Sequence, residues 1–241
     1  MFTKFRKRLG NTIYGNNEGH RNAWIKKELA AIPSGGKLLD AGAGECKWKK
    51  ECGHLTYVSQ DFCQYEGSGD GKGLQTGTWD TKRIDIVSDI TKIPVQDGEF
   101  DAVLCSEVLE HVPHPELALR ELARVSKKGG ILLLTAPFNS LTHFAPYHFC
   151  TGFNIYWYEK HLQENGFEIV ETENCGDYFT YFEQELARLS SIVKRYTKKR
   201  NFLVRVLSLL LLLKLDKISR GGANHSYELQ CMGYFVKAVK K

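Results

Sequence analysis

The chain predicts an α/β fold, doubly wound around a mainly parallel sheet of seven strands, with a helical insertion before the last strand. Three observations predict it. Short apolar runs alternate with amphipathic stretches, the pattern of strand–helix–strand units. Three of the runs close on an acid: Lys37 to Asp40, Leu55 to Asp61, and Ile84 to Val87 followed by Asp89. The first acid opens onto Ala41-Gly42-Ala43-Gly44, a turn with two glycines separated by one residue. In doubly wound sheets the ligand lies at the carboxyl ends of the strands, where these acids fall.

The elements follow in order. Residues 17–32 read as a helix, with Ala23, Trp24, Leu29 and Ile32 on one face and Pro33-Ser34-Gly35-Gly36 as its stop. The first strand is Lys37 to Ala41; a short helix is expected after the glycine turn, then the second strand to Asp61. Gly67 to Trp79 carries four glycines within seven residues and reads as a loop longer than most α/β connections. The third strand is Ile84 to Val87 and the fourth Phe100 to Cys105. A helix spans Pro115 to Val125, and Lys127-Lys128-Gly129-Gly130 turns into a fifth strand, Ile131 to Thr135. Residues 138–153 are rich in aromatic side chains and histidine. A helix near 155–165 stops at Gly166, and Phe167 to Val170 and Tyr227 to Val239 read as the last two strands. Residues 1–175 and 223–241 are expected to form the core, with 1–35 as a helical cover over the ligand. Residues 176–222 read as a helical insertion within the same domain.

Composition narrows the setting. The chain has 241 residues, 42% of them hydrophobic, enough for one α/β domain and an addition. Its net charge of +5 is too mild to mark a nucleic-acid binder. Seven cysteines, an odd number with no C-x-x-C pair, point to neither a disulfide framework nor a zinc site, and imply a reducing cytoplasm. The basic start, Met1 to Arg8, has no long apolar region after it and does not read as a secretory signal. Val206 to Leu213 is the most apolar segment, far short of the ~20 residues that cross a bilayer.

The strand-end acids define the cofactor. A dinucleotide fold usually shows G-x-G-x-x-G with a pyrophosphate on the helix N-terminus. Here Lys47 occupies the third-glycine position and an acid opens the turn. Acids suit the ammonium, sulfonium and ribose hydroxyls of S-adenosylmethionine better than a pyrophosphate. Over residues 36–172 the chain resembles the class I S-adenosylmethionine-dependent methyltransferases, especially the UbiE-like (methyltransferase type 11) group. Leu38 to Gly44 resembles their first motif, with Cys46 where a further glycine is common. Ser88 to Pro94, Phe100 to Ser106 and Ser126 to Gly130 resemble later motifs in family order. The resemblance implies that Asp61 binds the ribose hydroxyls, that Asp89 accepts from the adenine amino group with Ile90 against the ring, and that Gly42 and Gly44 pass beside the methionine portion. It further implies that Cys105 and Ser106 lie near the methyl donor. Asp40 is assigned to the cofactor site, with an orienting role in the loop as its alternative. Arg21, on the N-terminal helix, is a candidate partner of the cofactor carboxylate.

For the transfer itself, a hydroxyl acceptor needs a base or a metal. Were Ser106 to Val112 to open a helix, Glu107, Glu110 and His111 would share one face at i, i+3 and i+4. The segment is similar to one in ubiquinone-pathway O-methyltransferases and small-RNA 2′-O-methyltransferases; in the latter, E-x-x-E-H and a later histidine bind a metal. That likeness makes Glu107, Glu110, His111 and His148 candidate ligands of Mg2+ or Mn2+, with His143 as the runner-up for the last place. Glu107 is also a catalytic candidate. Without a metal, His148, His143 and Tyr147 are candidates for the general base, or parts of an aromatic lid that excludes water.

The acceptor is expected to be a small or lipid- or carrier-linked metabolite, methylated on oxygen or nitrogen. RNA is the weaker alternative, and loss of catalysis with retained cofactor binding is the third. The basic, leucine-rich stretch 194–220 admits three readings: a packing or homodimer helix, a peripheral contact with a membrane, or a site for an acidic carrier or RNA.

Overall fold

The computed structural model describes residues 17–199, 201–219 and 225–241. Met1–Arg8, and Arg200 and Arg220 of the basic stretch, lie outside the described residues. The chain divides into two compact units. One comprises Ala23–Glu173 and Gly233–Lys241 and holds the sheet; the other includes 17–22 and Asn174–Met232.

The sheet has seven strands: β1 (Lys37–Ala41), β2 (Thr56–Asp61), β3 (Ile86–Val87), β4 (Phe100–Ser106), β5 (Ser126–Pro137), β6 (Phe167–Cys175) and β7 (Gly233–Lys240). Their order is β3-β2-β1-β4-β5-β7-β6. The pairs β1–β2, β1–β4, β2–β3 and β4–β5 are parallel, and β7 runs antiparallel to β5. The chain reverses its winding direction between β1 and β4, which opens the crevice where ligands of such sheets bind. Register brings the tips side by side: Asp40 pairs with Ser59 and Leu104, Gln60 with Ile86, and Asp61 with Val87.

The central strands are apolar on both faces, as a sheet covered on both sides requires. Leu38, Leu39, Val103, Leu104, Leu132, Leu133 and Leu134 are fully buried. Helix α1 spans 17–30. It buries Trp24, Ile25 and Leu29, and the Trp24 ring lies 5.5 Å from that of Phe235 on β7. On the same helix Glu28 is buried. Burial works to raise its pKa, but bonds from Lys237 and Lys27 outweigh it and hold the carboxyl low. Helix α2 (Pro115–Val125) starts at the expected proline and buries Leu119, Leu122 and Val125. Helix α3 (Ile155–Glu164) is capped by Asn154, whose side chain accepts from the Trp157 amide.

Several expected elements differ. The helix after the glycine turn is one three-residue 3-10 turn, Lys49–Glu51, because Cys46 has a left-handed φ of 55°. The third strand has only two residues, and the last begins at Gly233 rather than Tyr227. The Lys127–Gly130 turn is an interruption inside β5: Phe100 faces Ser126 but Ala102 faces Ile131. Ser106 to Val112 forms no α-helix. Glu107 has φ 56° and donates its amide to the Thr135 carbonyl, continuing the β4–β5 ladder, and Pro113 disfavours helix at Val112. A single 3-10 turn, Leu109–His111, remains.

In the other unit the insertion is helical as expected. Helix α4 (Tyr178–Thr197) begins in a capping box between Asp177 and Thr180. Helix α5 (Phe202–Ser219) returns alongside it, and the Asn201 side chain bonds Ser190 across the bend.

Candidate active site

The glycine turn is tied to β2 rather than to a helix. The Gly42 and Ala43 amides donate to the Gln60 carbonyl at 2.8 and 2.9 Å, and the Gly44 amide to Asp61 Oδ2 at 3.0 Å. A pyrophosphate needs such amides unspent. Here they are committed, so the turn leaves a close, side-chain-free backbone edge instead of an anion cradle. Both glycines have positive φ, 75° and 52°, and Val108 lies where a Cβ on Gly42 would fall.

Asp61 is buried and accepts from the Gly44 amide on one oxygen and the Cys63 amide, 2.8 Å away, on the other. Each carboxylate oxygen retains a second lone pair, the acceptor capacity that two vicinal hydroxyls require. Gln60, buried beside it, donates to the Ser88 carbonyl at 2.6 Å and accepts from the Gly42 amide at 3.3 Å. Its side chain thereby links the glycine turn to the β3 tip. Asp89 is exposed, and its Oδ1 accepts from the amide and hydroxyl of Thr91, both at 2.8 Å, which fixes the carboxylate at that tip. Ile90 next to it is buried.

Asp40 is sealed from solvent and receives the Tyr57 hydroxyl at 2.5 Å. Burial pushes its pKa up to about 7, with the Asp61 charge adding to the rise and the Tyr57 bond opposing it. Cys105, fully buried at the β4 tip, has its thiol pKa pushed upward by burial and then by the charges of Glu110, Asp40 and Glu107. The thiol stays protonated, since burial and nearby carboxylates both disfavour the thiolate. Beyond it, Ser106 Oγ lies 2.9 Å from Thr135 Oγ1, and Thr135 donates to Glu107 at 3.1 Å.

Two loops close over the tips. The Leu74 amide donates to the Thr142 carbonyl, the Phe144 amide to Leu74, and the Asp70 amide to Ala145. Tyr65 stacks on Phe144 at 4.5 Å, and Trp79 meets both rings edge-on. Trp79 also lies against the turn: a Cβ on Gly44 would fall 2.5 Å from its Cζ2. Gly44→Ala is therefore expected to cost about 2–4 kcal/mol, from a left-handed alanine and the clash together. Urea unfolding measures this, and adding Trp79→Ala should recover the steric part.

A histidine cluster occupies the same lid. Glu110 is buried at the 3-10 turn, with His111 Nε2 at 3.8 Å and His143 Nε2 at 3.9 Å from its Oε1. His111 Nδ1 lies 2.5 Å from the Tyr147 carbonyl and His143 Nδ1 2.8 Å from that of Leu141. A carbonyl only accepts, so both Nδ1 atoms carry hydrogens. Burial, then the His143 charge, hold the His111 pKa down at about 3, so its Nε2 presents a lone pair to the carboxylate. His143, with Nδ1 on the Leu141 carbonyl, turns its Nε2 toward the same carboxylate. Lone pairs and a carboxylate that converge in this way match a cation, and backbone bonds orient the imidazoles as they do behind metal ligands. The three donor atoms lie within 4.8 Å of one another.

This set corrects the expected ligands in two places. Glu107 is not among them, because the chain bends at its positive φ and the carboxylate accepts from Thr135. His148 gives way to His143. Its Nε2 is 3.1 Å from Ser140 Oγ, whose one hydrogen goes to the Thr151 carbonyl, so that nitrogen is a donor and not a ligand. The His148 ring remains 4.8 Å from that of His143, and burial lowers its pKa. Tyr147 contributes its carbonyl to His111 and packs its ring edge-on against Phe62. Arg21 lies on the part of α1 grouped with the other unit.

Gln60, Tyr57 and Trp79 were not legible as site residues, and Phe144 only as one aromatic of the 138–153 loop. Gln60 had one usable signal: it is the polar residue just before the acid at a strand end. The two aromatic rings depend on a pairing between loops some 65 residues apart, which no periodicity announces.

A seven-stranded sheet with acids and a glycine turn at its switch point defines an S-adenosylmethionine-binding fold of the methyltransferase type. Comparison agrees: residues 39–134 match the family model described as methyltransferase domain. Over these residues the chain is similar to the class I S-adenosylmethionine-dependent methyltransferases. It is 43% identical over 63 residues to a ubiquinone biosynthesis O-methyltransferase of Xanthomonas oryzae, covering 26% of each chain. To a demethylmenaquinone methyltransferase of Mycobacterium bovis it is 42% identical over 140 residues, covering 55% of this chain and 56% of the relative. The matches thus span from a quarter to just over half of these relatives. Among solved structures, a SAM-dependent methyltransferase from Archaeoglobus fulgidus shares the fold with a TM-score of 0.53 at 16% identity, over 96% of this chain and 97% of that one. Phosphoethanolamine N-methyltransferase 2 of Haemonchus contortus, solved with S-adenosyl-L-methionine, shares it with a TM-score of 0.53 at 18% identity, over 96% and 56%.

Proposed function

We propose that this protein transfers the methyl group of S-adenosylmethionine to a hydroxyl of a small or carrier-linked metabolite. The reading rests on the acids at the strand tips, Asp40, Asp61 and Asp89, beside the side-chain-free Gly42–Gly44 edge. A sulfonium is a cation, and a low-dielectric pocket with negative potential favours it over the neutral thioether left after transfer. The protein's part is then to position the donor and align the acceptor; the displacement belongs to the cofactor.

Oxygen is favoured over nitrogen by the Glu110, His111 and His143 set, which fits a divalent cation. Such an ion, when bound, lowers the pKa of a hydroxyl beside it. Two imidazoles and one carboxylate suit Mn2+ better than Mg2+, which prefers oxygen donors. His148, with Nε2–H donated to Ser140, keeps an unprotonated Nδ1 and is the remaining candidate to take the acceptor's proton. The aromatic lid of Tyr65, Trp79, Phe144 and Tyr147 excludes water and suits an acceptor with an apolar or aromatic body. The relatives named for ubiquinone and menaquinone methylation make a phenolic hydroxyl the first acceptor class to test.

The test is S-adenosylhomocysteine release with a panel of phenols, sugars, amines and short RNAs. Turnover of a hydroxyl acceptor is expected, abolished by a chelator and restored by Mn2+. Glu110→Ala should lower it at least ~100-fold, the scale of losing metal-assisted activation, while S-adenosylhomocysteine still binds. Turnover indifferent to chelation would remove the metal from this reading. RNA as the only acceptor would replace the substrate class, and cofactor binding with no turnover on any acceptor would leave a binding protein.

A further inference from the structure

We propose that the α4–α5 hairpin docks on an anionic lipid surface through its bend and the outer face of α5. The inference is independent of the transfer chemistry. From residue 186 to 215 there is no acid, while eight cations occur: Arg188, Lys194, Arg195, Lys198, Lys199, Arg200, Arg205 and Lys214. The whole chain is only +5, so the sequence outside this window is net acidic. The positive charge is concentrated, not spread.

The hairpin places Lys194, Arg195, Lys198 and Lys199 around apolar side chains that face solvent. At the bend Lys194, Arg195, Lys198 and Lys199 are exposed, with Tyr196, Phe202 (78% exposed) and Leu203 among them. Along α5 only Ser208 and Leu212 are buried. Leu203, Leu207 and Leu210, spaced to share one stripe, are all more than half exposed, and Lys214 and Lys217 continue that stripe. Leu211, Leu213 and Ile218 flank it, also exposed. Among the described residues no helix is long and apolar enough to cross a membrane.

Leucines ringed by lysine and arginine match the interface of an anionic bilayer, where the apolar face enters the acyl boundary and the cations meet headgroups. A second copy of this chain fits less well, because like faces would bring two acid-free windows together. RNA fits less well too, because it is gripped by stacking on aromatic rings, and beyond Tyr196 and Phe202 at the bend the outer stripe of α5 is aliphatic.

The experiment is flotation of the full chain with vesicles of phosphatidylcholine alone or with about one third phosphatidylglycerol. Binding is expected to the anionic vesicles, at least about tenfold above the neutral ones, and to weaken with added salt. Lys194→Glu/Arg195→Glu/Lys198→Glu/Lys199→Glu and, separately, Leu203→Ser/Leu207→Ser/Leu210→Ser should each reduce it about tenfold or more. S-adenosylhomocysteine binding should be unchanged in both, which shows that they fold. The proposal is overturned by wild-type protein that floats with neither vesicle, or by variants that float as well as wild type. It is also overturned by a dimer that the leucine variant dissolves with no vesicle binding by the wild type, or by retention on a fluorescent single-stranded RNA that only the charge variant loses, again without vesicle binding.

Discussion

Asp61→Ala is expected to weaken S-adenosylhomocysteine binding about 100-fold or more. Bonds from two ribose hydroxyls to a buried carboxylate contribute about 1.5–3 kcal/mol each, and 2.7 kcal/mol is already a hundredfold in Kd. The substitution also frees the Gly44 and Cys63 amides that Asp61 now holds, so the turn loses its anchor together with the ligand. Asparagine is no rescue: both oxygens accept backbone amides, and an amide NH2 would point a donor at a donor. A ligand series separates the two effects in calorimetry. Wild-type protein should bind adenosine more tightly than 2′,3′-dideoxyadenosine, and Asp61→Ala should bind both alike. If the mutant keeps the wild-type preference for the hydroxyls, Asp61 is not their partner.

The second large effect concerns pH. Asp40 has a folded-state pKa of about 7 against an ordinary value of 3.8, with burial as the first cause. The native protein therefore holds a proton on Asp40 between pH 4 and 7 that the unfolded chain releases. Stability from this group is fullest below pH 4 and declines as pH rises through 7. About three pKa units correspond to roughly 4 kcal/mol of burden at pH 8. Asp40→Asn retains an acceptor for the Tyr57 hydroxyl and has no charge to bury. Urea unfolding of the ligand-free protein should show little difference between the two at pH 4 and a mutant more stable by up to about 4 kcal/mol at pH 8. Cofactor binding should move oppositely. The sulfonium favours the ionised carboxylate, so S-adenosylmethionine should gain affinity in wild-type protein as pH passes 7, more than S-adenosylhomocysteine does. Asp40→Asn should erase that gain. A mutant no more stable than wild type at pH 8 would show that Asp40 is not the strained acid described here.

What the sequence disclosed depended on the range of the interactions involved. Strand ends and helix α2 rest on local signals: apolar runs that close on an acid, a proline at the first helical position, glycines where the chain must reverse. These are enough to place Asp40, Asp61 and Asp89 on neighbouring strand tips. Among the metal candidates, Glu107 falls out where local pattern competes with the sheet. Helical spacing put Glu107, Glu110 and His111 on one face, but the Glu107 amide completes the β4–β5 ladder, and the ladder prevails. By position His148 came first for the last place and His143 second; the choice between them turns on one hydroxyl hydrogen of Ser140, which no sequence pattern encodes. The aromatic cover of Tyr65, Trp79 and Phe144 was visible only as composition, since its geometry comes from two loops pairing with each other.

The central claim is that acids at successive strand tips surround an adenosyl sulfonium beside the Gly42–Gly44 edge. A crystal structure with S-adenosylhomocysteine tests it most directly. The ribose hydroxyls are expected on Asp61, the adenine between Asp89 and Ile90, and the sulfur in a negative pocket at the Cys105 tip. The ligand found elsewhere, or that pocket filled by Trp79 with the ligand excluded, would contradict it.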